Sequence, residues 1–331
     1  MIKYLFFAIL IVVAGCSSNH QEDELELGMA VVDNGINTRS DADSIALALA
    51  NSQLLIQLDA INDSIAMHSS APYGLKSFFK KLLNVACADA YGLAGGFLIG
   101  AGISANVVVG AFVGVVSGAG FSAVAASSPD GKLMPKKLPT NVKDMYSSFD
   151  RYTNLALNDA NYSVKYNEVM TSVGPIGDVE SNSTYLKSAI HHNLVLEKYM
   201  ERDSYDDIEG ASSMFAGSMY YMEIYSDKVL NLYQQDMNDA KAGNYKWGYI
   251  FSDRINKTQT ISQAKAGALM ENFKPVLNLC NTLDDLKFAT LLYMDVVRGS
   301  DELSSIDKEI VLQTLPVYMY SVTFWSNYLE E

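Results

Sequence analysis

Apolar positions fall three and four residues apart along most of the chain, the spacing of one face of a helix. From Asp43 onward, Leu47, Leu54, Leu58, Ile61 and Ile65 form such a row, with Asn51, Gln57 and Asp63 on other faces. They predict an amphipathic helix whose apolar stripe needs a partner. Val142, Met145, Phe149 and Tyr152 repeat the pattern behind Thr140 or Asn141, either of which caps a helix by accepting from a free backbone N–H. A longer row, Ile208, Ala211, Phe215, Met219, Met222, Tyr225, Val229 and Leu232, lies between Asp203 or Ser204 and a polar loop near Gly243. That row predicts core packing, not a cofactor site. Thr282, followed by Asp284 and Asp285, places a capping hydroxyl and two carboxylates at the positive end of a helix dipole, and Gly299 closes the last apolar turn. Ser304 or Ser305 opens a final helix carrying Ile306, Ile310, Val317, Phe324 and Tyr328, in which Pro316 predicts a kink or a division. Strand periodicity is weak and no repeat of solenoid length is present, so the pattern predicts an all-α fold.

One segment departs from this alternation. Between Asp89 and Asp130 no residue is charged, and Gly, Ala, Val, Ser, Ile, Leu and Phe make up almost all of it. Gly92, Gly96 and Gly100 fall four apart; Gly110, Gly114 and Gly118 do so again, with Ser122 continuing the row. On a helix this spacing draws a bare groove along one face, into which a second backbone fits closely. The interruption near Ser104 to Asn106 predicts a glycine-zipper helical hairpin over residues 90–128. Glycine inside a helix costs about 1 kcal/mol relative to alanine, so close packing must compensate, in a bilayer or in a protein core. Lys76, Lys80 and Lys81 interleave with Phe78, Phe79, Leu82 and Leu83 before the segment, and Lys132, Lys136 and Lys137 follow it. Two basic flanks suit a re-entrant hairpin with both ends on one side of a membrane. Legs shorter or more diluted by glycine than a span of roughly 20 apolar residues suit a buried hairpin in a soluble domain equally, and an unstructured glycine-rich linker is the third possibility.

The beginning of the chain reads as an address. Met1 to Lys3 is positive, and Tyr4 to Val13 is an apolar run too short to span a bilayer but long enough for the core of a signal peptide. Val13-Ala14-Gly15-Cys16 resembles the lipobox of bacterial lipoproteins. That resemblance implies cleavage before Cys16 and several acyl chains on it, a stable anchor where a single chain holds only marginally. The polar, acidic stretch from Ser17 to Glu26 predicts a solvated tether over residues 16–40. Acidic runs at this place also resemble the surface-export signal of some Gram-negative lipoproteins, a plain flexible linker being the alternative. The expected address is the cell envelope of a Gram-negative bacterium, at the outer membrane, with surface display as its extension. The expected organisation is a signal peptide over 1–15, the tether, amphipathic helices over 41–89, the hairpin, and a helical domain over 129–331.

Asp89-Ala90-Tyr91-Gly92-Leu93-Ala94-Gly95-Gly96, continuing with glycine at position 100, is similar to an Asp-Ala-x-Gly opening in uncharacterised exported glycine-zipper proteins of Gram-negative bacteria. Ile190-His191-His192-Asn193 and Leu196 resemble a His-Asn element of the same proteins, and the resemblance spans Lys80 to Tyr199. Tyr91 and Leu93 stand where that pattern carries smaller residues. The resemblance implies a shared architecture and no activity.

Charge and candidate chemistry narrow the function. The formal net charge is −14, one unit more negative once Lys3 is removed, which repels nucleic acid and anionic lipid alike; no nucleic-acid partner is expected. With 49% hydrophobic and 11% aromatic residues, the chain has material for one large helical domain. Cys87 and Cys280 are expected as free buried thiols, although an oxidising compartment would allow them to pair. His191 and His192 are the sharpest polar feature among 4 histidines; His20 falls in the tether and His68 in a polar linker. Four residues beyond the pair stand Val195 and Leu196, which ligate nothing, and Glu197 is four from Asn193 instead. Neither HExxH nor a cysteine–histidine cluster is present. The expected role is therefore hydrogen-bonded histidine on a helix-packing face, with Asn193 as a buried amide tying down a neighbouring loop.

Other motifs fall short. Asp41 and Asp43 lack the turn glycine and final glutamate of an EF-hand, Asp206 and Asp207 read as first-turn charges of a helix, and Gly95-Gly96 lacks the strand and Lys-Ser/Thr ending of a phosphate loop. No Gly-x-Ser-x-Gly elbow occurs. The expectation is a non-enzymatic envelope protein without cofactor or metal. It would hold the membrane through the lipid on Cys16, with the hairpin as a second contact, and bind a protein partner through its helical body. The alternatives are a membrane-inserting antagonistic or pore-forming protein acting through the hairpin and, less favoured, a hydrolase using His191 or His192.

Overall fold

The computed structural model describes residues 38–68, 76–127 apart from 105, 141–201 and 259–329, together with separate short stretches between 208 and 251. The signal peptide, Cys16, the tether up to residue 37, the basic stretch at 132–137, and Asp206 and Asp207 lie outside the described residues. So does the row over 208–232, apart from buried Ile208 and half-buried Ala211.

The all-α expectation holds: every described element is a helix. They are α1 (Thr38–Ala50), α2 (Gln53–His68), α3 (Lys76–Ser104), α4 (Val107–Ala126), α5 (Val142–Leu157) and α6 (Tyr162–Ser172), followed by α7 (Val179–Met200), α8 (Trp247–Phe251), α9 (Ile261–Leu279), α10 (Leu283–Gly299) and α11 (Ser305–Trp325). The chain divides into two units, 1–47 and 48–331. Of the first, only the opening part of α1 is described; its Leu47 is exposed.

Local chemistry explains most helix ends. Asn141, not Thr140, caps α5, its side chain accepting from Asp144 N at 3.0 Å, and Val142, Met145, Phe149 and Tyr152 are all buried. Thr282 and Asp285 form a reciprocal capping box at the start of α10, and Thr260 with Gln263 forms another on α9. Ser304 caps α11 by accepting from Asp307 N at 3.1 Å.

Two expectations need correction. The helix expected from Asp43 onward is broken between Ala50 and Gln53. Ser52 Oγ accepts from Leu55 N at 3.3 Å, while Glu302 takes the Ser52 hydroxyl at 2.9 Å and Leu54 N at 2.8 Å, so a distant carboxylate fixes the start of α2. The buried stripe is then Leu54, Leu58 and Ile65, without Leu47. The division expected at Pro316 does not occur: α11 runs unbroken from Ser305 to Trp325. The ring removes one backbone bond, to Leu312 C=O, but the helix is buried continuously from Ile310 to Val322 and packing holds it together. Pro275 is accommodated within α9 in the same way.

The uncharged segment forms a helical hairpin and not a linker. Its first leg is longer than its glycine row, because α3 runs without a break from the lysine-bearing lead-in at Lys76 through position 90 to Ser104. Phe78–Gly102 (25 residues) and Val107–Ala126 (20 residues) are each long and apolar enough to cross a membrane by length and composition. In this structure they lie mostly inside the protein, with 89% and 72% of their most apolar stretches buried. α11 and α8 pack on α3; α5 and α7 pack on α4. α9 and α10 complete the body by packing on α2 and α11.

Candidate functional site

The six zipper glycines all sit where the legs touch. A Cβ at Gly96 would lie 2.5 Å from the Val113 carbonyl oxygen. One at Gly92 would lie 2.8 Å from Ser117 O, one at Gly100 2.8 Å from Val109 O, and one at Gly114 2.8 Å from Leu93 O. At Gly110 a Cβ would meet the Phe97 ring at 2.8 Å, and at Gly118 the Asp89 carbonyl oxygen at 3.0 Å. Real Cβ atoms essentially never approach closer than 3.0 Å and seldom as close as that, so the two rows form one close-packed seam, made mostly against backbone.

At the foot of that seam stands a polar centre. Asp89, on α3, is wholly buried, and so is His192 on α7; Asp89 Oδ2 lies 3.5 Å from His192 Nε2. Gly118 makes room for the ring, because a Cβ there would stand 3.2 Å from His192 Cδ2. Asn193 Nδ2 donates to the Tyr320 carbonyl of α11 at 2.8 Å, which leaves Asn193 Oδ1 to face His192 Nδ1 at 3.1 Å. An amide oxygen only accepts, so Nδ1 carries the proton and, in the neutral ring, Nε2 presents its lone pair to Asp89. Trp325 Nε1 donates to Ser122 Oγ at 2.8 Å, and the Ser117 and Tyr146 hydroxyls meet at 2.5 Å. The polar groups thus join α3, α4, α5, α7 and α11.

Burial drives both partners to their neutral forms. Desolvation raises the Asp89 carboxyl to about 8; Ser122, Ser321 and Trp325 around it act against that shift, yet neither carboxyl oxygen has a hydrogen-bond partner. Desolvation lowers His192 to about 4, with the Asn193 oxygen and the Gly118 carbonyl opposing. A protonated Asp89 and a neutral His192 then face each other at 3.5 Å, two uncharged groups that no solvent reaches. Chemically this is a clasp between helices; a substrate has no way in, because both side chains are fully enclosed.

His191 points the other way along α7. Its Nε2 meets the Tyr162 hydroxyl at 2.8 Å and its ring meets the edge of Tyr166, the packing-face role expected of it. Burial, reinforced by Lys187, lowers it to about 4. Beside it Lys198 lies 2.6 Å from Asp159 and Lys165 2.7 Å from Glu197, and Lys198 in particular draws Asp159 down to about 2. Asn193 ties α7 to the α11 backbone and not to a loop, because the residue after His192 faces another helix. Half-buried Cys87 and buried Cys280 are both free, and desolvation pushes each thiol up to about 12, far from a reactive thiolate. Among the described residues, no three His, Cys, Asp or Glu side chains are grouped to hold a metal.

In the sequence Asp89 stood as the edge of the uncharged segment and the first residue of its Asp-Ala-x-Gly opening, with no polar partner assigned to it. The signal that places it was available in the two short motifs, Asp89-Ala90-Tyr91-Gly92 and His191-His192-Asn193: the first residue of one meets the middle residue of the other across α3 and α7. No protein-family model, curated protein or solved structure matches the chain.

Proposed function

We propose that the chain is a non-enzymatic lipoprotein of the Gram-negative envelope, held at the outer membrane by acylated Cys16. Its hairpin serves as the core of a helical body that associates with a protein partner. The observation that carries the non-enzymatic half is enclosure. The glycine rows are occupied by one another, the outer faces of the legs are covered by α5, α7, α8 and α11, and the sharpest polar pair is sealed. The anchor rests on the resemblance of Val13-Ala14-Gly15-Cys16 to a lipobox and on the need for more than one acyl chain to hold a protein at a bilayer.

Intact-mass analysis of the membrane-extracted protein should give a mature amino terminus at Cys16 carrying acyl chains. Cys16→Ala should move the protein from the membrane to the soluble fraction. An unmodified terminus elsewhere, or full membrane retention of C16A after a carbonate wash, removes the anchor from this reading.

A second reading has one observation in its favour: both legs meet the length and composition of a membrane span. A membrane-inserting antagonist would have to open the clasp and withdraw the hairpin from four covering helices. Release of trapped dye from protein-free liposomes by the wild-type chain would support it, and intact liposomes are the outcome the enclosed core predicts.

A further inference from the structure

We infer that the turn end of the hairpin is a shallow docking tip for the apolar surface of a lipid bilayer, a second contact that rests on the lipid-anchored reading above. Along α4, cover is lost towards this end. From Val113 to Ala126 every residue of α4 is buried, whereas Val107 and Val108 are 36% and 50% exposed. Leu98, Val109 and Ala111 beside them are half-buried, and Gly102 is exposed.

Three features select lipid as the occupant. No charged residue lies between Asp89 and Asp130, so entering hydrocarbon desolvates no ion there. Next, most of the described backbone groups at the turn are paired within it. Asn106 Oδ1 accepts from Val108 N at 2.8 Å and Val109 N at 3.4 Å, and Asn106 O accepts from Gly110 N at 3.0 Å. Ser104 Oγ donates to Gly100 O at 2.5 Å and accepts from Asn106 N at 3.2 Å. Backbone can enter a low-dielectric layer only when its donors and acceptors are paired in this way. Lastly, exposed Lys80 lies on the same helix but 24 residues before Ser104, about 36 Å away at 1.5 Å per residue, so the tip can dip while the cationic end stays in water. Protein interfaces carry charged and polar groups at their rim, whereas the segment around this tip carries no charge.

The test separates the tip from the acyl anchor. The mature chain with Cys16→Ser and an amino-terminal hexahistidine is held on phosphatidylcholine vesicles by a nickel-chelating lipid, so failure of acylation in cells does not bear on it. A single reporter, Val108→Trp, is added; Trp247 and Trp325 are fully buried and their signal is subtracted using the parent chain. Emission from position 108 should shift to the blue on tethering and lose about half its intensity to lipids brominated near the headgroup, the depth of an interfacial contact. It should respond little to lipids brominated at the chain ends. Adding Val107→Asp should abolish both effects while leaving the circular dichroism spectrum unchanged. A water-like, unquenched reporter on tethered vesicles overturns the inference, as does strong quenching by chain-end bromines, which would mean a span in place of a shallow tip.

Discussion

Asp89 and His192 show how burial alone sets the behaviour of single residues. Folded Asp89 keeps its proton to about pH 8, whereas an ordinary carboxyl releases it near 3.8. Between those values Asp89 binds its proton in the folded chain but not in the unfolded one, so this group makes stability fall as pH rises. His191 and His192 are lowered from 6.5 to about 4. Across that window each histidine binds more protons in the unfolded chain, so each makes stability rise with pH. Up to 6.5 two rising contributions oppose one falling one; between 6.5 and 8 only the fall remains. Urea midpoints taken at pH 5, 6.5 and 8 should therefore peak at the middle value. Asp89→Asn, which keeps the shape and loses the titration, should abolish the decline from 6.5 to 8 and keep the rise below it. The same decline in D89N would assign it to some other group.

At the scale of elements the seam between α3 and α4 is the most sharply specified contact, and it turns on glycine. Gly96→Ala gains about 1 kcal/mol of helix propensity, but its Cβ would fall 2.5 Å from the Val113 carbonyl oxygen, and backbone cannot step aside as a flexible side chain can. Overpacking of this kind costs about 1–3 kcal/mol and at times more, so G96A should be less stable than wild type in chemical denaturation. Gly299→Ala, with nothing within 4 Å of its Cβ, should stay within about 0.5 kcal/mol; equal effects from the two would show that the seam is not close-packed. The zipper pairing was legible in the four-residue glycine spacing and the cap at Thr282 in its side-chain chemistry, because both are local, whereas α5 was left with Thr140 or Asn141 as its cap. The break before α2 was not legible, since Glu302 fixes it across 248 residues of chain, and no window of sequence contains that contact. The unbroken course of α11 through Pro316 likewise depends on burial, which periodicity alone does not report.

For the whole molecule, the same uncharged segment suited a bilayer or a protein core, because both solvents favour the same composition. Sequence therefore left its surroundings open, and the clasp that joins it to α7 and α11 went unseen as a unit. If the hairpin is the core, the rest of unit 48–331 has no alternative interior. Removing residues 91–126 would strip the covering from α11, from the inner faces of α5 and α7, and from the Asn193–Tyr320 tie that seats His192. The apolar area uncovered is that of two helices, and a domain's net stability is only about 5–15 kcal/mol, so the shortened chain should not fold cooperatively. It should keep helical far-ultraviolet dichroism, lose its near-ultraviolet signal and bind hydrophobic dyes, the behaviour of a collapsed but unpacked chain. A membrane hairpin attached to an independent body predicts the opposite: a soluble remainder with a sharp unfolding transition. Observing that sharp transition would detach the hairpin from the core and, with it, the enclosed reading of Asp89 and His192.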